Sequence, residues 1–350
     1  MKLVDFLIVG QGLAGTTLAF EMLKQGLSFH IISSPEKSKA SLVAAGMVNP
    51  LVFKRLTKSW MVEDLLPVMK ETYQKLENIL SEQLFFEKDI LKPLSEQEKQ
   101  LWFERKANPE FSKYIKKIFD VSPAKSIVKS EGYGLVTQSG YLNMVRFLTL
   151  AQDYFYSKSL LTNANFLFQD IHNKRKFFEV GEIKARKIIV CEGSHLRRNS
   201  FFSFIKLNPV KGEVLQIFAP ELPEEYILNK GVFVLPVGDH RFKVGSTYEW
   251  EDLSVFPTEK GRKSIIDRLE SLIDVDYIIE NHWAGIRPAI SDRRPVLGNH
   301  PELERLLIFN GLGTKGVMLA PYFAREMLKF CANPGYHLNR EVQVNRFYRE

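Results

Sequence analysis

Hydrophobic positions open the chain as an unbroken run, Phe6-Leu7-Ile8-Val9, which stops at Gly10-Gln11-Gly12-Leu13-Ala14-Gly15. A continuous apolar run predicts a buried strand, and the good helix formers from Thr16 to Gln25 predict the helix that covers it. A second run, Phe29-His30-Ile31-Ile32, supplies the other strand of a β-α-β unit. The glycine spacing between strand and helix suits a dinucleotide cradle. Gly10 turns out of the strand, Gly12 lets backbone approach a pyrophosphate, and Gly15 lets helix pack on strand. The unpaired N–H groups of the helix start, at Leu13 and Ala14, face the phosphates. Ser33-Ser34-Pro35-Glu36 stands where such sites place an acid on the ribose, so that contact falls to Ser33 or Glu36. No base occupies Ser33 or Ser34, which gives no reason to expect a 2′-phosphate.

Further along, Ser41 to Pro50 is a stretch of small residues too uneven for a regular element, and it would let backbone lie close to a flat ligand. Leu65, Val68, Met69, Leu76, Ile79 and Leu80 fall on one helical face and predict core packing. Phe85 to Gly134 is rich in charge and aromatics, without a glycine before Gly132, and predicts helices and loops of an inserted segment. Gly132–Val136 predicts a return strand, Tyr141–Tyr156 a helix, and Lys187–Cys191 a buried strand closing on Gly193. Alternation from Phe166 to Arg186, with turn signals at Asn173 and Gly181, predicts a hairpin-like crossover. Alternating runs at 209–217, 231–236 and 241–248 predict an antiparallel sheet that would wall a substrate pocket.

The last third repeats the opening theme. The strand Leu306–Asn310 opens into Gly311-Leu312-Gly313-Thr314-Lys315-Gly316, and a helix from Val317 to Phe330 follows. One pyrophosphate needs one cradle, so a second glycine-rich turn implies a longer ligand with another polar end. An isoalloxazine carbonyl, which gathers negative charge on reduction, suits a helix N-terminus.

Composition narrows the class. A chain of 350 residues, 45% hydrophobic and 25% charged, can build one large core or two modest ones. Cys191 and Cys331 are its only cysteines, which excludes a disulfide framework and fits a reducing, cytoplasmic compartment. The seven scattered histidines show no ligand spacing, so no metal is expected. The apolar start lacks a small-residue cleavage site and no run reaches the length of a membrane span, so neither a secretion signal nor a membrane anchor is expected. The net charge of +7 permits an anionic partner without demanding one; the basic clusters at 54–58, 113–117 and 172–176 read as solvated faces.

Six motifs occur in order: the N-terminal fingerprint, Ala44-Ala45-Gly46-Met47, Pro209-Val210-Lys211-Gly212-Glu213, Gly245-Ser246-Thr247, Gly285-Ile286-Arg287-Pro288 and the loop from Gly311 to Gly316. Over nearly its whole length the chain thereby resembles FAD-dependent oxidoreductases of the D-amino acid oxidase and glycine oxidase type. The resemblance implies an α/β fold with a discontinuous Rossmann-like FAD-binding domain, 1–84, 135–205 and 285–350. A substrate domain with an antiparallel β-sheet, 85–134 and 206–284, would be inserted between. FAD contacts are implied at Gly10, Gly12, Leu13, Ala14, Gly15, Ser33 and Ser34 for the nucleotide. Ala44, Ala45, Gly46 and Met47 would lie beside the ring, Ile171 and Gly193 along the cavity, and Arg287, Gly311, Gly313, Thr314, Lys315 and Gly316 at the far end.

The implied reaction is oxidation of the C–N bond of a carboxylate-bearing amine or amino acid, by hydride transfer to flavin N5. Arg287 would grip the carboxylate, since a planar guanidinium matches it with parallel donors; its other reading is a structural salt bridge with Asp292 or Glu280. Lys315 would support the reduced ring, or else be a solvated charge. Tyr248 would offer a hydroxyl in place of the tyrosine the family has where Phe233 stands, or else pack on the sheet. The Phe233 substitution counts against glycine itself as substrate. Trp283 would cover a flavin face or pack beneath the Gly285 turn. Val48-Asn49-Pro50, Gly245 to Tyr248 and Gly311 to Gly316 also resemble the oxidase half of the bifunctional enzyme that modifies wobble uridine in tRNA. That alternative implies a carboxymethylaminomethyl uridine substrate and a tRNA partner. Ser33, Phe233 and Thr314, as departures from the family pattern, leave a non-catalytic flavin-binding protein as the third reading.

Overall fold

In the computed structural model, which describes residues 1–35, 40–166 and 168–348, two sheets divide the chain. The first is built on parallel strands in the order Leu161–Asn163, Phe29–Ser33, Lys2–Val9, Ile183–Val190, with Leu306–Asn310 alongside the last. Both of its faces are covered, which is why Phe6–Val9, Ile188–Val190 and Leu306–Phe309 are apolar without interruption. Ile8, Ile31 and Ile189 pack toward a core shared with the helices Leu13–Lys24, Val62–Leu80, Met144–Ser157 and Gly316–Ala332. Leu7, Ile32, Ile188 and Val190 turn the other way, onto Phe178, Phe202 and Ile308. The strand Ile183–Val190 serves several partners because its first half pairs antiparallel with Phe178–Val180, around the turn at Gly181, while its second half pairs with Leu306–Asn310. The predicted crossover hairpin is this element.

The second sheet runs Ile278–Arg287, Val210–Phe218, Arg241–Gly245, Val232–Gly238, Ile227–Lys230, Ile90–Leu94, Gly132–Val136, Ile115–Phe119. Its neighbours are antiparallel except where Ile227–Lys230 meets Ile90–Leu94. Three expectations change here. Gly132–Val136 does not return to the first sheet but sits between Ile90–Leu94 and Ile115–Phe119, so the division expected at 134/135 falls inside a strand, as does that at 284/285. The segment 85–134 contains strands as well as the helix Glu96–Ala107. Charge hid them: Lys92 lies within a strand yet is buried, because its ammonium pairs with Glu98 at 2.7 Å. Tyr141 belongs to the strand Gly140–Leu142, and the helix after it starts at Met144, where the Asn143 side chain accepts from the Arg146 N–H.

The small-residue stretch after residue 40 forms the short helix Ala40–Val43 and the strand Met47–Val48, which pairs with Gly140–Leu142. Gly46 between them has φ +71°, and a Cβ there would stand 2.0 Å from the Leu142 carbonyl oxygen. Glu36, one of the two ribose candidates, lies outside the described residues. No described helix is long and apolar enough to cross a membrane.

Close packing in the second sheet also depends on a missing side chain. Trp102 is buried flat over Gly134, where a Cβ would meet its ring at 2.2 Å. Gly134→Ala should therefore overpack this site and cost about 1–3 kcal/mol, read as a lower urea midpoint with an unchanged slope; a wild-type midpoint would refute the contact.

Candidate functional site

A cavity of about 440 Å³ opens where the carboxyl ends of the parallel strands meet the second sheet. Open α/β sheets place ligands at this position, because loops diverge there and leave helix N-termini facing the gap. At one end Gly10 turns out of the first strand with φ +105°, and a Cβ would come within 2.6 Å of the Cys191 carbonyl oxygen. Behind it, a Cβ on Gly15 would meet the Gly10 oxygen at 2.0 Å, so this glycine sets helix against strand and stays off the cavity wall. Gly12, the N-cap residue of the helix Leu13–Lys24, offers no side chain of its own to the first turn, leaving N–H groups beyond Leu13 for a ligand. The Leu13 N–H differs from expectation, because it donates to Ser41 Oγ at 3.3 Å.

Ser33 and Ser34 both line the cavity. Ser33 Oγ accepts from the Gln11 N–H at 3.3 Å, and the Ser34 hydroxyl donates to Asn165 Oδ1. Gly193 is on the wall and Ile171 is not. Ile171 directly precedes His172–Asn173, the edge strand farthest from the Phe29–Ser33 side of the sheet, and packs on the rear core. Phe166 lines the cavity instead. It belongs to the alternating run from which only a hairpin was inferred, so nothing in the sequence singled it out.

Ala44, Ala45, Gly46 and Met47 line the cavity, as do Gly313, Thr314, Lys315 and Gly316. Gly311 lies just behind, with φ +75° and a would-be Cβ 2.8 Å from Ile290. Lys315 is the N-cap residue of Gly316–Ala332, again with no side-chain cap. Its ammonium turns inward, donating to the Asn49 carbonyl at 3.2 Å and to Ser59 Oγ. No carboxylate pairs with it among the described residues, and burial pulls its pKa down to about 8. It is thus not a solvated surface charge. Ser59, its partner, carried no sequence signal.

Arg287 forms the far end. It closes the strand Ile278–Arg287, and its guanidinium lies across Gly212, where a Cβ would stand 2.0 Å from Nη2. Nη1 donates to the Thr247 carbonyl at 3.2 Å and Nη2 to Ser246 Oγ at 2.6 Å. The Tyr248 ring covers it at 4.8 Å. Burial lowers the arginine pKa, opposed by Tyr248. The acids that could have neutralised it are engaged elsewhere: Asp292 with Arg346 at 2.8 Å, Glu280 with Arg241 at 3.0 Å. Among the described residues Arg287 has no carboxylate partner, and part of its donor fork remains unused. Phe233 gives this end an apolar wall, while Trp283 lies off the cavity.

A family model described as FAD dependent oxidoreductase matches residues 5–329. Glycine oxidase of Pseudomonas aeruginosa is 24% identical over 348 residues, 91% of this chain and 92% of that protein. The match to glycine oxidase of Bacillus subtilis is 29% identical over 148 residues and spans 40% of each chain. The crystal structure of glycine oxidase from Geobacillus kaustophilus superposes with a TM-score of 0.80 at 19% identity, covering 98% of both chains. The cofactor of the matched family is FAD, and the cavity fits it: two uncapped helix starts face one cavity, and Gly10 and Gly46 stand where any Cβ would collide with backbone.

The depressed lysine has a thermodynamic signature. The unfolded chain holds the Lys315 proton up to the ordinary value of 10.5, whereas the ligand-free folded protein releases it near 8. Between those values the unfolded state binds more protons, so stability contributed by this group rises with pH. Apoprotein Tm, compared between wild type and Lys315→Met, should show the difference shift in the variant's disfavour across pH 8 to 10.5; parallel curves would place the lysine in solvent.

Proposed function

We propose an amine-oxidising function for this chain, which belongs to the FAD-dependent oxidoreductase family. Its substrate is an amine or amino acid bearing a carboxylate, and the observation that carries this reading is Arg287, a half-buried guanidinium on the cavity wall without an acidic partner. Placing an unpaired cation in a sheltered site costs free energy, which an incoming carboxylate recovers through charge-assisted, bidentate hydrogen bonds. Gly10, Gly12 and Ala14 would hold the pyrophosphate of FAD, residues 44–47 would flank its ring, and the helix start at Gly316 would face the ring's carbonyl end. Bound FAD supplies the acceptor for the hydride that leaves the carbon beside nitrogen.

The protein's part is positioning. Arg287 fixes one end of the substrate, and Ser246 and Thr247 hold the guanidinium in turn. Phe233 contributes no hydrogen bond and presents an apolar surface beside the carboxylate site, which suits an amine carrying a substituent better than glycine. Lys315 places positive charge near the second helix start; burial pulls its pKa down to about 8 in the ligand-free protein, and an anionic ligand beside it would raise that value and hold the charge. Two unpaired cysteines, Cys191 and Cys331, support a reducing, cytoplasmic setting.

Charge-assisted bonds of roughly 1.5–3 kcal/mol each set the scale of the test. Arg287→Ala should raise KM for a carboxylate-bearing amine by about 100-fold while the purified protein stays yellow with wild-type flavin content. An unchanged KM would remove the carboxylate from the reading; loss of flavin would assign Arg287 to cofactor binding instead.

A further inference from the structure

Beside Arg287, two of the chain's exposed aromatic rings stand next to each other. Tyr248 and Trp250 are each 54% exposed, and their rings stack with centroids 6.3 Å apart at 28°. The segment that carries them is firmly held. Lys211 and Glu249 exchange both backbone hydrogen bonds, at 2.8 and 3.0 Å. Glu249 Oε1 then accepts from the Trp250 and Glu251 N–H groups at 2.9 and 3.0 Å. The fully buried Lys211 ammonium reaches the far side of the segment, pairing with Asp252 and donating to Ser254 Oγ at 3.1 Å. Buried Glu213 accepts from the Thr258 N–H and hydroxyl at 2.9 and 2.8 Å. Alternation along one strand explains the arrangement: Lys211 and Glu213 clamp the segment on one face of the sheet, while Gly212 between them makes room for Arg287 on the other.

Fixing two aromatic rings so that they stay wet forgoes the free energy their burial would give. The same ledge is continuous with the cavity, because Tyr248 both lines it and lies over the Arg287 guanidinium. We propose that Tyr248 and Trp250 form a subsite for a planar aromatic ring, carried by the substrate within a few bonds of the carboxylate that Arg287 holds. The inference rests on the carboxylate reading of Arg287 and adds the chemical class of the group that projects from it. An aromatic face offers stacking to any flat π system and gives no such preference to a saturated ring of equal bulk.

That distinction supplies the test, made on the FAD-loaded protein with phenylacetate and cyclohexylacetate as probes. Binding is read by perturbation of the flavin absorbance bands, and ring placement by quenching of tryptophan fluorescence. Phenylacetate should bind about tenfold more tightly and quench emission. Trp250→Ala should abolish the preference, and Trp250→Phe should retain it while losing most of the quenching. Equal affinity of the two acids in the wild type, or a preference that survives Trp250→Ala, would overturn the ledge. Arg287→Ala separates the two readings: loss of both acids supports the carboxylate site on which the ledge depends. Retention of both, with the planar preference intact, would refute that site and with it the substrate class proposed for the ledge.

Discussion

A guanidinium lying flat on a backbone is the contact around which the second-sheet end of the cavity is organised. Arg287 can occupy its place only because residue 212 has no side chain, and it stays there because Ser246 Oγ and the Thr247 carbonyl accept its hydrogen bonds. The strand beneath it does double duty. Its odd-numbered residues, Lys211 and Glu213, are buried charges satisfied by the 249–258 segment, and burial of such groups is tolerable only when their partners are in place. The same bonds that satisfy them therefore fix the rim of the cavity.

Charge distribution in the cavity follows from what each cation lacks. Neither Arg287 nor Lys315 meets a carboxylate among the described residues, although acids neutralise many other basic groups of the chain. Each cation is held by neutral acceptors, a carbonyl and a hydroxyl in both cases. Neutral acceptors orient a cation without cancelling its charge, so the field in the cavity remains positive at both places. Two helix N-termini without side-chain caps add to it. The whole is suited to an elongated ligand with several anionic groups together with a small acid beside it.

Much of this was legible in the residues alone, and the reason is local. Gly10, Gly12 and Gly15 have their roles because of the strand before them and the helix after, all within two dozen positions, and the same holds for Gly311 to Gly316. The apolar runs 6–9 and 188–191, and 29–32 with its single histidine, announced buried strands. Where a strand mixes charges into its pattern, as at Lys92, periodicity misleads, since the pairing that makes the burial possible lies on the following helix. Ile171 and Phe166 show the same limit from the other side: which of two apolar residues meets a ligand depends on the sheet edge at which the chain arrives.

The chain's own order of residues thus determined the two glycine-rich turns and the family motifs, because each is written in contiguous positions whose geometry short-range sterics dictate. Only the tertiary structure decided that Arg287 is free of Asp292 and Glu280, that Lys315 turns inward to Asn49 and Ser59, and that Tyr248 and Trp250 stand exposed at the rim. Those facts rest on contacts between residues tens or hundreds of positions apart. Partnership among buried charges is settled by which strands lie side by side, and no local pattern carries that information.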